Sequence, residues 1–238
     1  METIEGLILK QINYKESSKI LYLYTKNGLI SVLAHGSNKL KSPYLNLVRV
    51  FSHVKLSVSG KNLKTLRDGE VINRYMELTT DIEKYTYTLH LLETIYYFSS
   101  HEHDHEKLFL FLIKIFNKIK NTEDYIPYIN MVELKLLYLL GVQPVLDRCV
   151  VCQEKKGLNF SVKDGGLCCK EHIKAIKYSN ETINLLRLLY YYDIDKGKKI
   201  EYDKLSLISL RKLLDEYYEF HLNYQSRSRK LLRELLGY

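Results

Sequence analysis

Two pairs of metal-type residues constrain this chain most, in the stretch LGVQPVLDRCVVCQEKKGLNFSVKDGGLCCKEH at 140–172. Cys149 and Cys152 form a Cys-x2-Cys pair, and after sixteen intervening residues Cys169 and His172 form a Cys-x2-His pair. Each spacing lets one tight turn aim two ligands at one point. Two such pairs on the arms of a short ribbon make a closed tetrahedral site, which is how structural zinc is held. Three thiolates and an imidazole suit that ion. Cys168 is a fifth candidate, since Cys168-x3-His172 is also a permissible spacing. Cys169 is preferred because its spacing mirrors the first pair. Gly165-Gly166 then turns into a short strand on which Cys168 points away as a small hydrophobe. A redox Cys-x2-Cys and unliganded thiols are the alternatives; the redox reading lacks a strand entering a helix at the motif. With four protein ligands the ion keeps no open position for water, so its expected role is structural.

Before this stretch the hydrophobic period changes once. Up to residue 79 it is two. Ile4, Gly6, Ile8 and Lys10 share one face of a strand, and Leu7, Leu9 and Gln11 the other. The runs 20–25 and 29–34 flank Asn27-Gly28, which reads as a hairpin with a type I′ turn. A longer strand is expected over 48–58, then short ones at 63–66 and 70–74. Five short strands without a long helix predict a small barrel or sandwich. At Thr80-Asp81-Ile82-Glu83 a capping box predicts a helix start, and Ile82, Tyr85, Leu89, Leu92 and Ile95 follow at helical spacing. A second helix over 108–119, apolar nearly all round, is expected to be central. A third runs from Pro127 to Leu140, stopped by Gly141 and Pro144. After the cysteines, helices are expected over 183–192, 205–222 and 227–236. The reading is α+β: a barrel domain at 1–79, and a helical domain at 80–238 carrying a ribbon at about 146–175.

The net charge of +8 is unevenly spread. Residues 1–79 carry 12 Lys+Arg against 6 Asp+Glu; the other 159 carry 24 against 22. A basic small domain suggests a polyanionic partner, nucleic acid first. Candidate contacts are Lys39 and Lys41 in a glycine-containing loop after a strand, with Lys10, Lys15, Lys19, Arg49, Lys61 and Lys64. Tyr14, Tyr22, Tyr24, Tyr44 and Phe51 are candidate stacking surfaces on such a platform. No secretory-type leader is read at the N-terminus, and no apolar run reaches the ~18 residues of a membrane helix. A cytoplasmic location and no membrane partner are expected. In a reducing compartment, four cysteines within 149–169 argue for metal over disulfides.

A search for catalytic constellations favours a binding protein over an enzyme. None of the eight histidines has a glutamate two residues later, as a zinc deaminase requires. No Walker A sequence and no Gly-x-Ser-x-Gly is present. His101, His103 and His105 in HEHDHE miss the spacing of binuclear hydrolases and read as a loop between helices. A metal-dependent nucleic-acid hydrolase using that tract, and a zinc-containing RNA-binding barrel protein, are the competing classes.

The run Leu136-Leu137-Tyr138-Leu139-Leu140-Gly141-Val142-Gln143-Pro144-Val145-Leu146-Asp147-Arg148-Cys149 resembles the RecO family of bacterial DNA repair and recombination mediators. It is similar to that family's leucine-rich helix, Gly-x-x-Pro and first metal cysteine. Cys152, Phe160, Gly165-Gly166, Cys169 and His172 follow in the family's order, with histidine where many members have cysteine. Glu5-Gly6-Leu7-Ile8-Leu9, Glu16-Ser17-Ser18-Lys19, Thr25-x2-Gly28, Gly36, Lys41-Ser42 and Ser226-Arg227-Ser228-Arg229 match more weakly. The resemblance implies an OB-fold first domain and a helical second domain with a zinc ribbon. It implies binding of single- and double-stranded DNA and annealing of complementary strands near the nucleoid. The partners it implies are RecR and the acidic C-terminal tail of single-strand binding protein, with RecA loading as the outcome.

Overall fold

The computed structural model describes residues 1–61, 63–101, 104–197 and 199–236. It forms two compact units, Met1–Glu123 with Ser226–Tyr238, and Asp124–Gln225. The strands end at Arg74 and the first α-helix begins at Ile82, and compactness groups three of the helices with the barrel.

In the first unit, β1 (Glu2–Tyr14), β2 (Ser18–Thr25), β3 (Gly28–Ala34), β4 (Ser52–Ser59) and β5 (Lys64–Arg74) close into a barrel in the order β1-β2-β3-β5-β4. All pairs are antiparallel except β3 with β5, where Val32 faces Lys64 and Leu33 faces Thr65. That parallel pair closes the OB-like barrel. The two-residue period explains its interior: Ile4 and Ile8, Leu21 and Leu23, Val32 and Ala34, and Val54, Leu56 and Val58 pack together. Leu7 and Leu9, on the opposite face of β1, are buried as well. The helix α1 (Ile82–Phe98) packs on β1, so this strand is covered on both sides.

Three details differ from the sequence reading. The β2–β3 turn is not type I′, because among Lys26, Asn27 and Gly28 only Gly28 has positive φ (+95°). Thr25 Oγ1 fixes it, accepting from Asn27 N at 3.1 Å and donating to Gly28 O at 2.8 Å. The long strand begins at Ser52 rather than 48: residues 39–51 are turns whose Leu47 and Val48 plug the barrel, and Phe51 takes φ +65°. The two short strands after residue 60 are one, β5, continued through register irregularities opposite His53/Val54 and Ser57/Val58.

Asp81, not Thr80, caps α1, its carboxylate accepting from Lys84 N. The next helix, α2 (His105–Ile119), is one-faced rather than central: Leu108, Leu112, Ile115, Phe116 and Ile119 are buried while Leu110 is exposed. The central helix is α3 (Ile126–Leu139) of the second unit, buried from Pro127 to Leu134. Within that run Glu133 and Asn130 meet Arg211 of α5 (Lys204–Leu222). The guanidinium spans Glu133 Oε1 at 2.7 Å, Asn130 Oδ1 at 2.8 Å and Asp215 Oδ1 at 3.1 Å. One cation thus bridges two buried carboxylates across two helices. Between them α4 (Asn180–Tyr190) starts at a Ser179 cap.

The last helix, α6 (Arg227–Leu236), returns to the first unit and packs on α1. Its seam is polar: His90 Nδ1 lies 2.7 Å from Ser226 Oγ, and Arg229 Nη2 lies 3.3 Å from His90 Nε2. Glu93 accepts from Ser228 N at 3.0 Å. Among the described residues no helix is long and apolar enough to cross a membrane.

Candidate metal centre and nucleic-acid interface

The metal candidate is built by the excursion between α3 and α4. Gly141, at φ +73°, ends α3, and Val142 N reaches back to Leu137 O at 3.0 Å. The strands β6 (Asn159–Ser161) and β7 (Gly166–Cys168) then pair antiparallel. Gly166 also bridges Val145 in parallel, and a Cβ there would lie 2.5 Å from Val145 O, so this seam admits only glycine. The first pair of ligands sits on a turn closed by Gln153 N to Cys149 O at 3.1 Å and Cys149 N to Glu154 O at 2.7 Å. The second sits on one closed by His172 N to Cys169 O at 3.0 Å. Both turns are local, so spacing alone aims each pair.

The donor atoms of Cys149, Cys152, Cys169 and His172 all lie within 4.8 Å of one another. Cys152 Sγ is 3.6 Å from Cys169 Sγ, and His172 Nδ1 is 3.1 Å from Cys169 Sγ and 3.8 Å from Cys149 Sγ. A tetrahedral ion with Zn–S of about 2.3 Å and Zn–N of about 2.0 Å sets its ligands roughly 3.5–3.8 Å apart. The four residues therefore fit one zinc ion. Burial pushes the Cys149 thiol up, but the backbone amides of Cys152, Cys169 and Val151 outweigh it and bring the group down to about 6. It is thus prepared to be a thiolate. Cys168 is buried and faces the other way, its Sγ 3.9 Å from Asp164 Oδ2. Burial and then the Asp164 charge push its thiol up to about 11, so it stays protonated. Among the described residues this is the one such cluster of metal-type side chains.

Of the histidine tract, His103 lies outside the described residues. His101 tilts against Phe98, while His105 Nδ1 sits 3.0 Å from the buried Tyr24 hydroxyl. His101 and His105 thus have separate neighbours, and His105 serves the barrel–α2 packing.

The basic residues of the barrel fall into two groups. Lys39, Lys41, Arg49 and Lys61 are exposed, and among the described residues none pairs with an acid. Lys39 and Lys41 lie in the β3–β4 loop, which is tied to the β1–β2 turn by Asn38 N to Ser17 O at 2.9 Å. That contact brings Lys15 and Lys19, on either side of Ser17, close to the loop. A further tie is the Tyr44 hydroxyl, which donates to Arg67 O at 2.8 Å. Three of the other candidates are engaged. Lys64 Nζ pairs with Glu2 at 2.7 Å, Lys19 Nζ donates to Gln11 Oε1 at 2.9 Å, and Lys10 Nζ stands 4.7 Å over the Tyr96 ring. Of the candidate stacking residues, Tyr24 and Phe51 are core and Tyr22 packs edge-on against Tyr96, leaving Tyr14 and the half-buried Tyr44. The sequence did not single out Leu40, which stands between the two loop lysines and is 94% exposed.

A closed OB-like barrel with exposed cations on one long loop, followed by helices and a three-cysteine, one-histidine cluster consistent with zinc, defines a class: barrel proteins that carry a metal-ligand ribbon. The comparisons narrow it. The family profile Recombination protein O N terminal matches residues 1–75, and Recombination protein O C terminal matches residues 79–230. DNA repair protein RecO of Listeria monocytogenes serotype 4b is 30% identical over 99% of this chain and 95% of its own length. Proteins of the same name from Bacillus pumilus and Halalkalibacterium halodurans are 27% and 26% identical, each over 97% of this chain. The chain belongs to the RecO family of DNA repair proteins.

Proposed function

We propose that this chain is a recombination mediator of the bacterial cytoplasm that acts by binding rather than by catalysis. It holds single- and double-stranded DNA on the barrel, anneals complementary strands, and with RecR helps load RecA onto strands coated by single-strand binding protein. The observation that carries the reading is that Lys39, Lys41, Arg49 and Lys61 are exposed and pair with no acid among the described residues, on a closed barrel in a family of DNA repair proteins. Two DNA strands repel each other. A surface that neutralises phosphates of both lowers that repulsion, and annealing then needs no nucleotide hydrolysis. Lys15 and Lys19 extend the surface from the neighbouring turn; Lys10 and Lys64 contribute less, being held by Tyr96 and Glu2.

Cys149, Cys152, Cys169 and His172 hold one structural zinc in this reading. The ion supplies a cross-link that pins the excursion between α3 and α4. Helical faces in 85–140 and 205–236 take the protein partners, among them the acidic tail of single-strand binding protein.

The test is strand annealing with Lys39→Glu/Lys41→Glu, on bare strands and on strands coated with single-strand binding protein. Annealing should fall about tenfold or more with an unchanged circular dichroism spectrum. Unchanged annealing moves the DNA site elsewhere. Competition by single-stranded RNA at equal affinity would favour an RNA-binding role instead.

A further inference from the structure

The β3–β4 loop is anchored at many points and leaves one apolar side chain out. Ser37 Oγ donates to Ala34 O at 2.8 Å, Asn38 N to Ser17 O at 2.9 Å, and Ser42 N to Lys39 O at 2.9 Å. Leu47 and Val48, a few residues on, are buried in the barrel core. Leu40 sits on the turn that these bonds hold and is 94% exposed, more than any other large hydrophobic side chain among the described residues. A chain that buries Leu47 and Val48 from the same loop has the means to bury Leu40 and does not. Its immediate neighbours, Lys39 and Lys41, are exposed cations with no acid partner among the described residues. A partial counterpart lies elsewhere on the barrel, where the adjacent lysine is paired with Glu2. Leu63, 42% exposed, stands in the β4–β5 turn beside Lys64 and two residues after Lys61.

We propose that Leu40 is a wedge: with Lys39 and Lys41 on the phosphates, its side chain inserts between neighbouring bases of a nucleic-acid strand. This rests on the DNA-binding reading of the same loop and deepens it. Apolar side chains inserted between base steps are an established way of unstacking nucleic acid. The cations supply attraction without regard to sequence, and the leucine finds cover from water between two base faces. In a single strand the insertion breaks stacking alone; in a duplex it also strains two paired partners. The wedge therefore favours single strands and presents their bases unstacked, as pairing with a second strand requires. A lipid surface is the less suited occupant. One leucine buries too little to anchor a protein, whereas it matches the gap opened at one base step.

The chain contains no tryptophan, so Leu40→Trp carries a single reporter at the tip. On titration with a mixed-sequence single strand its emission should be quenched by stacking against bases. Leu40→Ser should weaken single-strand binding about tenfold, for the loss of one buried leucine, while its spectrum and its salt dependence stay those of the parent. On an abasic strand of the same length the Leu40→Ser penalty should vanish. Unquenched emission with undiminished Leu40→Ser affinity overturns the wedge, even where Lys39→Glu/Lys41→Glu still weakens binding. If that double variant binds as the parent does, the DNA-binding reading of the loop fails with it. A blue shift on anionic phosphatidylglycerol vesicles without quenching by DNA overturns the wedge in favour of a lipid surface.

Discussion

The ribbon cluster and the β3–β4 loop are both irregular excursions held by short hydrogen bonds, yet one gathers its chemistry inward and the other leaves it to solvent. At the ribbon, two local turns aim Cys149, Cys152, Cys169 and His172 at one another, within 4.8 Å. At the loop, the bonds to Ser17, Ala34 and Arg67 hold the backbone down and leave Lys39, Leu40 and Lys41 facing solvent. Convergent donors saturate a ligand inside the protein and offer nothing to a partner. Divergent cations are unfinished until a partner arrives. The more distinctive motif is therefore the one expected to hold structure, and the plainer one is expected to meet DNA.

The contrast can be broken most decisively at the metal. Cys169→Ser should take zinc from one ion per chain to none by atomic emission. Structural zinc in small finger peptides binds with about 10–16 kcal/mol, so its loss should open the ribbon to protease. DNA affinity at low salt should move by less than about twofold; a large loss would place the ribbon in the DNA site. Next in size is Arg211→Leu, which strands the buried Glu133 and Asp215 carboxylates. It should cost about 3–5 kcal/mol in urea unfolding. Smaller, but confined to the loop, is Lys39→Gln/Lys41→Gln. Each lost phosphate contact should flatten the log–log salt dependence of single-strand binding by about 0.7. An unchanged slope would mean that these lysines touch no phosphate. Smallest is Lys64→Gln. Its ammonium already serves Glu2, so DNA affinity should change less than about twofold in the same titration, and a larger effect would move Lys64 into the exposed group.

How much of this was legible in the sequence follows from how local each feature is. The ligand spacings are local, and the four donors do converge. The strand period identifies most of the barrel, but Val48 and Val50 mimic a strand start where the chain in fact turns, since Leu47 and Val48 go inward as a plug. Asp81 displaces Thr80 as cap because its carboxylate reaches Lys84 N, a competition between adjacent residues that pattern does not rank. The cation roster could be read, but not its division. Lys64 and Glu2 are far apart in sequence, as are Lys10 and Tyr96, so nothing local distinguishes them from Lys39. Nor does any local pattern join α6 to α1, whose contacts link His90 to Ser226 and Arg229.

That last pairing has a consequence in time. At a synthesis rate of about 5–20 residues per second, α6 leaves the ribosome roughly ten seconds after α1. Through that interval the face of α1 that α6 will cover stands open to the cell. An apolar face left so long would invite aggregation. This one carries His90 and Glu93, groups that water can satisfy until Ser226, Ser228 and Arg229 replace it. A polar seam contributes less to the finished fold than a greasy one of the same area, but it lets the nascent chain wait safely for its own last helix.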